Sequence, residues 1–198
     1  MDSNRGRMTG PLDASEAQSR TGGPSFTPGN RLARALWQAC WLLLARWTPP
    51  PFHRWRAVLL RLFGARLGRG CRVHASARVW LPANLELGDN VLIGPGALLY
   101  NQGRITIGSD SVVSQGAQLC ASTHAVEDPH FQLVLRPIVL GQRCWVAAEG
   151  FVGPGVAMGD GAVLAARGAL FEDAEPWTIY RGNPAARLRP RALRADAG

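Results

Sequence analysis

The apolar positions of this chain change period once, and the change divides it. Over 31–46 they recur at helical spacing, with Leu32, Leu36, Ala39 and Leu43 on one stripe and Asn30 standing where an N-cap would. Thr48-Pro49-Pro50-Pro51 stops that helix. A second short helix is predicted over 52–63, with Trp55, Leu59 and Leu62 on one face and Gly64 at its end.

From Leu67 onward an aliphatic residue recurs every six positions. The series runs Leu67, Val73, Val79; Leu87, Ile93, Leu99; Ile107, Val113, Leu119; Leu140, Val146, Val152; Met158, Leu164, Leu170. The residue four places after each anchor is small or β-branched, and the residue after the first anchor of each triplet is glycine: Gly68, Gly88, Gly108, Gly141, Gly159. Period six fits neither a helix nor a simple sheet. It fits a short strand and a tight bend, three times per turn of a triangular coil, with the aliphatic residue pointing into the prism and the glycine supplying backbone freedom. Triplet starts at 67, 87 and 107 put two extra residues at a corner of the early coils. The longer gap from 107 to 140 holds an insertion over 124–137, and an outgrowth from a regular solenoid is where function tends to sit.

The predicted organisation is a disordered tail over 1–30, a helical segment over 31–66, a parallel β-helix of about five coils over 67–174 and a basic segment over 175–198. Composition agrees: Gly and Pro are abundant (23 and 14), yet 46% of residues are hydrophobic, too many for a disordered chain. Cys40, Cys71, Cys120 and Cys144 lack Cys-x-x-Cys spacing and read as reduced packing residues. Residues 1–30 carry no secretory signal pattern, and the apolar run near Trp37–Leu44 falls far short of the ~20 residues of a spanning helix, so a cytoplasmic protein is expected.

The net charge of +8 is localised. Residues 31–72 hold nine Arg and no acid, 181–194 hold five Arg and no acid, and 73–180 hold five Arg against ten acids. No recognition motif or aromatic platform accompanies this charge, which argues against nucleic acid. A phosphate-bearing cosubstrate or an anionic membrane face fits better, the latter through 31–63 and placing the protein peripherally at the inner membrane face.

The repeats resemble those of the hexapeptide-repeat acyltransferases, and further segments are similar to the sugar O-acetyltransferase branch. These are Trp55-Arg56-Ala57 through Gly64-Ala65, Gln115-Gly116-Ala117 through Ser122-Thr123-His124, Phe131-x-Leu133 to Pro137-Ile138, Cys144-Trp145-Val146, Gly153-Pro154-Gly155-Val156 and Gly182-Asn183-Pro184-Ala185. Within that branch, which includes galactoside and maltose acetyltransferases, the chain most resembles the colanic-acid-biosynthesis type. The resemblance implies a left-handed β-helix, acetyl-CoA as cosubstrate, no metal, and a homotrimer with active sites between subunits. It also implies an O-acetyltransferase acting on a sugar hydroxyl in exopolysaccharide or surface-glycan biosynthesis.

His124 stands at the position of the family's catalytic histidine, where a general base is expected. Relatives follow it with Asp; here Ala125 follows, so Glu127, Asp128 or a backbone carbonyl is left to orient the imidazole. In the stretch Tyr100-Asn101-Gln102, Asn101 is the acceptor-binding candidate, joined by Gln115 and Trp145. Ala147, Ala148, Gly150, Ala165 and Ala166 are small enough for a pantetheine arm to approach the backbone, and Arg167, Arg181 and Arg187 offer charge for its phosphates. Serine or xenobiotic acceptors and a non-catalytic binding module are the alternatives. A γ-type carbonic anhydrase needs three convergent histidines, which His53, His74, His124 and His130 do not offer at their spacing.

Overall fold

The computed structural model describes residues 25–193, so the tail expected over 1–30 lies outside the described residues up to position 24. Two helices lead into a parallel β-helix, whose coil the six-residue period predicts and whose left hand the family resemblance implies. Short strands stack on three faces. Face 1 comprises Arg66–Leu67, Leu85–Leu87, Ile105–Ile107, Ile138–Leu140 and Ala157–Met158. Face 2 comprises Arg72–Val73, Leu92–Ile93, Val112–Val113, Trp145–Val146, Val163–Leu164 and Thr178–Arg181, with Ala186–Pro190 at its edge. Face 3 comprises Arg78–Val79, Leu98–Tyr100, Gln118–Cys120, Phe151–Val152 and Ala169–Leu170.

Register follows the repeat. Leu67 pairs with Leu87, Ile93 with Val113, Leu99 with Leu119, Ile107 with Leu140, and Val146 with Leu164. From Val73 to Leu170 every one of these anchors is buried, forming one aliphatic column. Removing each such side chain from water contributes roughly 1.5–3 kcal/mol. At the corner between faces 1 and 2, the small residues also stitch coils together. Ser111 Oγ donates to Gly141 O at 3.0 Å, and the thiols of Cys71 and Cys144 reach Gly88 O and Gly159 O, each at 3.1 Å. Burial raises both thiol pKa values, that of Cys144 to about 11, which suits packing residues.

The phased glycines have a different cause from the one the sequence suggested. None of the five lies at positive φ. A Cβ on Gly88 would stand 2.6 Å from Ser109 N, and one on Gly108 2.5 Å from Gly141 C. Close approach of successive coils, and not backbone conformation, requires glycine there.

The solenoid also runs further than residue 174. Thr178–Arg181 adds a strand of a further turn on Val163–Leu164, and Ala186–Pro190 folds back on it antiparallel. The basic segment over 175–198 thus supplies the last strands of face 2.

At the other end, helix α1 (Pro28–Leu44) and helix α2 (His53–Leu62) cover the first coil. Trp37 Nε1 donates to Val79 O at 2.8 Å and Trp41 Nε1 to Ala75 O at 3.2 Å. Helix α1 starts earlier than predicted, because Thr27 is the cap, its Oγ1 accepting from Asn30 N at 3.3 Å. Asn30 lies buried inside the first turn, where its Oδ1 accepts from Arg34 Nε. The packed face is also not the expected one. Asn30, Trp37, Trp41 and Ala45 face the solenoid, whereas Leu32, Leu36 and Leu43 are exposed. In α2, Arg56, Ala57, Leu59 and Leu60 are buried while Trp55 and Leu62 face outward. Period alone could not choose between two apolar stripes on one helix. The tryptophans won because their indole N–H groups find open carbonyls at the end of the solenoid.

Candidate active site

The extra residues of the early coils all fall on the corner between faces 3 and 1. Pro82–Asn84 fills it in the first coil, Asn101, Gln102 and Gly103 in the second, and the insertion springs from it in the third. That insertion is a hairpin: Ser122–His124 pairs antiparallel with Leu133–Leu135, placing His124 opposite Leu133. Ala125 N donates to Gln132 O at 2.8 Å and continues the pairing toward the tip.

His124 is held at two points. Its Nδ1 lies 3.0 Å from Phe131 O, and its ring stacks on the Phe131 ring at 4.4 Å between centroids and 7° between planes. A carbonyl oxygen only accepts, so Nδ1 carries a proton, and in the neutral ring it is Nε2 that holds the free lone pair. The orienting group is therefore a backbone carbonyl. Asp128 is turned elsewhere, its Oδ1 accepting from His130 N at 2.7 Å, and Glu127 lies exposed near the loop tip.

The histidine opens on a cleft of about 570 Å³, lined in part by Tyr100, Gln102, Cys120, Thr123 and Leu133. The start of α1 forms the opposite wall, with Phe26, Arg31 and Arg34. The Arg34 guanidinium sits 4.2 Å above the Trp80 ring, and its pKa is lowered by burial, with Tyr100 acting in the opposite direction. Burial in turn raises the Tyr100 phenol pKa. No carboxylate is among the lining residues. The arginine wall escaped the sequence reading because nothing in the repeat ties α1 to a corner 90 residues later.

Asn101 does not face this cleft. It is wholly buried, its Oδ1 accepts from Trp80 N and Leu81 N at 3.0 and 3.2 Å, and its Nδ2 donates to Leu81 O at 2.6 Å. Three of the four hydrogen bonds open to its amide clip one corner to the next, and its complete burial removes it as an acceptor ligand. Its neighbour Gln102 is the cleft residue instead. Gln102 Nε2 donates to the Tyr100 hydroxyl at 3.0 Å, and its buried Oε1 has no donor among the described residues.

Most of the remaining candidates gather on a different corner, between faces 2 and 3. Gln115, Ala148 and Arg167 stack there coil upon coil, Glu149 N donating to Gln115 O and Arg167 N to Ala148 O at 3.0 and 2.9 Å. Ala147, Gly150, Ala165 and Ala166 border the same ridge. Arg167 Nε donates to Glu149 Oε2 at 2.6 Å, and Arg187 lies 3.4 Å from Glu175 Oε2. Arg181 ends the last strand of face 2, exposed beside this ridge, and Trp145 lies on face 2 with its Nε1 donating to Ser114 Oγ at 2.9 Å. Within one chain, none of these lines the His124 cleft. No group of three or more metal-ligating side chains occurs among the described residues.

No protein-family model matches the chain. Among known proteins, the colanic acid biosynthesis acetyltransferase WcaF of Escherichia coli (strain K12) is 42% identical over 166 residues, 84% of this chain and 91% of that protein. In fold, the chain is similar to the hexapeptide-repeat acetyltransferase VCA0836 of Vibrio cholerae, solved with acetyl coenzyme A. The TM-score is 0.76 at 20% identity, over 84% of this chain and 91% of that one. A maltose O-acetyltransferase from Clostridium difficile 630 gives a TM-score of 0.75 at 19% identity, over 84% and 90%.

Proposed function

The chain belongs to the hexapeptide-repeat acetyltransferases, and from that premise we propose that it moves an acetyl group from acetyl-CoA to a sugar hydroxyl of an exopolysaccharide or surface-glycan precursor, with His124 as general base. The observation that carries this reading is the Nδ1 contact to Phe131 O, which leaves Nε2 as a proton acceptor in the cleft. As the acceptor oxygen attacks the thioester carbonyl, Nε2 takes its proton. The tetrahedral intermediate then collapses, the C–S bond breaks, and the imidazolium returns the proton to the departing thiolate. No covalent enzyme intermediate is needed, because the thioester is already activated.

The ridge of small residues at Ala148 and Ala166, leading to Arg181, suits the pantetheine arm and phosphates. It lies on another corner of the prism from His124, so one chain holds the base and the ridge apart. That separation supports a homotrimer in which a neighbour's ridge faces the cleft. The test is thiol release and product formation from acetyl-CoA against a panel of glycans, with serine and chloramphenicol included. The expected result is transfer to a glycan that His124→Ala reduces by ~10²–10⁴. Acetylation of serine or chloramphenicol alone would displace the sugar reading, and absence of any turnover would favour a binding module.

A further inference from the structure

Helix α1 is apolar on both sides. Its inner face packs Trp37 and Trp41 on the first coil, and directly opposite, Leu32, Leu36, Ala39 and Leu43 face solvent, Leu36 being 55% and Leu43 73% exposed. A helix apolar all round is normally buried all round, so this outer stripe implies a further partner. The patch continues past the end of the helix. Trp55 Nε1 donates to Leu44 O at 2.7 Å, which joins the outer face of α2 to the end of α1. Around that junction Trp47 is 80% exposed, and Phe52, Val58 and Leu62 also point outward.

The charge around the patch selects the partner. Arg31, Arg46, Arg54 and Arg61 are exposed on these two helices and the turn between them, and residues 31–72 contain no acid. A second copy docking through the same patch about a two-fold axis would bring arginine against arginine. A bilayer with anionic headgroups takes both parts: leucines and tryptophans enter the acyl boundary while arginines meet phosphates. Among the described residues no helix is long and apolar enough to cross a membrane.

We infer that the outer face of α1 and α2 docks the protein on an anionic lipid surface. Since Arg31 and Arg34 of the same helix wall the His124 cleft, docking brings that cleft close to the lipid headgroups. Vesicle binding is read without turnover, so it stands apart from the acetyl-transfer reading.

The test is flotation of the full chain with phosphatidylcholine vesicles, with and without phosphatidylglycerol, at low and high salt. The protein is expected to float with the anionic vesicles and to be released by salt. Leu36→Glu with Leu43→Glu, both on the solvent side, should weaken partitioning by at least ~10-fold while the thermal melt stays unchanged. Arg46→Gln and Arg54→Gln should each weaken it about fivefold. Protein that stays at the bottom of the gradient overturns the inference. So does a change of oligomeric mass in the double glutamate variant, by light scattering, which would assign the face to a second copy.

Discussion

His124 Nδ1 stands 3.0 Å from the carbonyl oxygen of Phe131, seven residues later across the hairpin, and the two rings stack. The bond fixes the tautomer and the stack fixes the plane, so Phe131 takes the place that a carboxylate fills beside many catalytic histidines.

A first expectation follows from that pair. Phe131→Ala keeps the carbonyl but removes the stacked ring, and a loosened imidazole should lower kcat by about tenfold with little change in acceptor KM. Asp128→Asn, which leaves the His124 contacts intact, should leave kcat near wild type. Steady-state kinetics of the two variants side by side check this. A large loss in Asp128→Asn would return the orienting role to that carboxylate.

Asn101 and Gln102 are adjacent yet should fail differently. Asn101→Ala strands the buried Leu81 N–H, while Trp80 N keeps Leu99 O and Leu81 O keeps Asn84 N, and is expected to lower unfolding free energy by roughly 1–3 kcal/mol. Gln102→Ala removes a buried oxygen that has no donor among the described residues, so it should alter acceptor KM and leave stability close to wild type. Denaturant titration paired with kinetics separates the two.

Gly108→Ala should destabilise by roughly 1–3 kcal/mol, because its methyl would meet the Gly141 backbone of the next coil. Gly29→Ala is the control. A Cβ there has no heavy-atom neighbour within 4 Å, and the change should be neutral or mildly stabilising in thermal melts.

Arg56 is fully buried, and every partner of its guanidinium is uncharged or an imidazole. It donates to Val73 O, Thr48 Oγ1, Pro49 O, Pro50 O and His53 Nδ1. His53 Nδ1 also lies 3.1 Å from Val73 O, beside the guanidinium. Arg56→Met is expected to cost about 3 kcal/mol, and Arg56→Lys should not restore it, since a point charge cannot replace the five-donor fork. Denaturant titration of both variants checks this.

His74 gives the stability a pH dependence. Its pKa is lowered from 6.5, first by burial and then by the neighbouring His53, Arg56 and Arg72. With the folded value below the unfolded one, the unfolded chain binds the extra proton as pH falls through about 6.5, so stability is full above that pH and declines below it. His74→Gln should flatten the decline in unfolding midpoints measured across that range.

The sequence by itself determined the solenoid, because an inward position recurring every six residues leaves one way to bury the column from Val73 to Leu170. It also determined the corner that grows outward, since insertions can leave a stacked coil only at its bends, and it marked His124 there. The reason for the phased glycines, the buried side of α1, the buried amide of Asn101 and the carbonyl that orients His124 were decided by tertiary structure. Each depends on which backbone group of a distant coil stands opposite. A periodic pattern shows that a residue points inward, but it does not show what waits for it there. For the same reason the arginines of α1 became part of the cleft only once the helix was laid across the end of the prism.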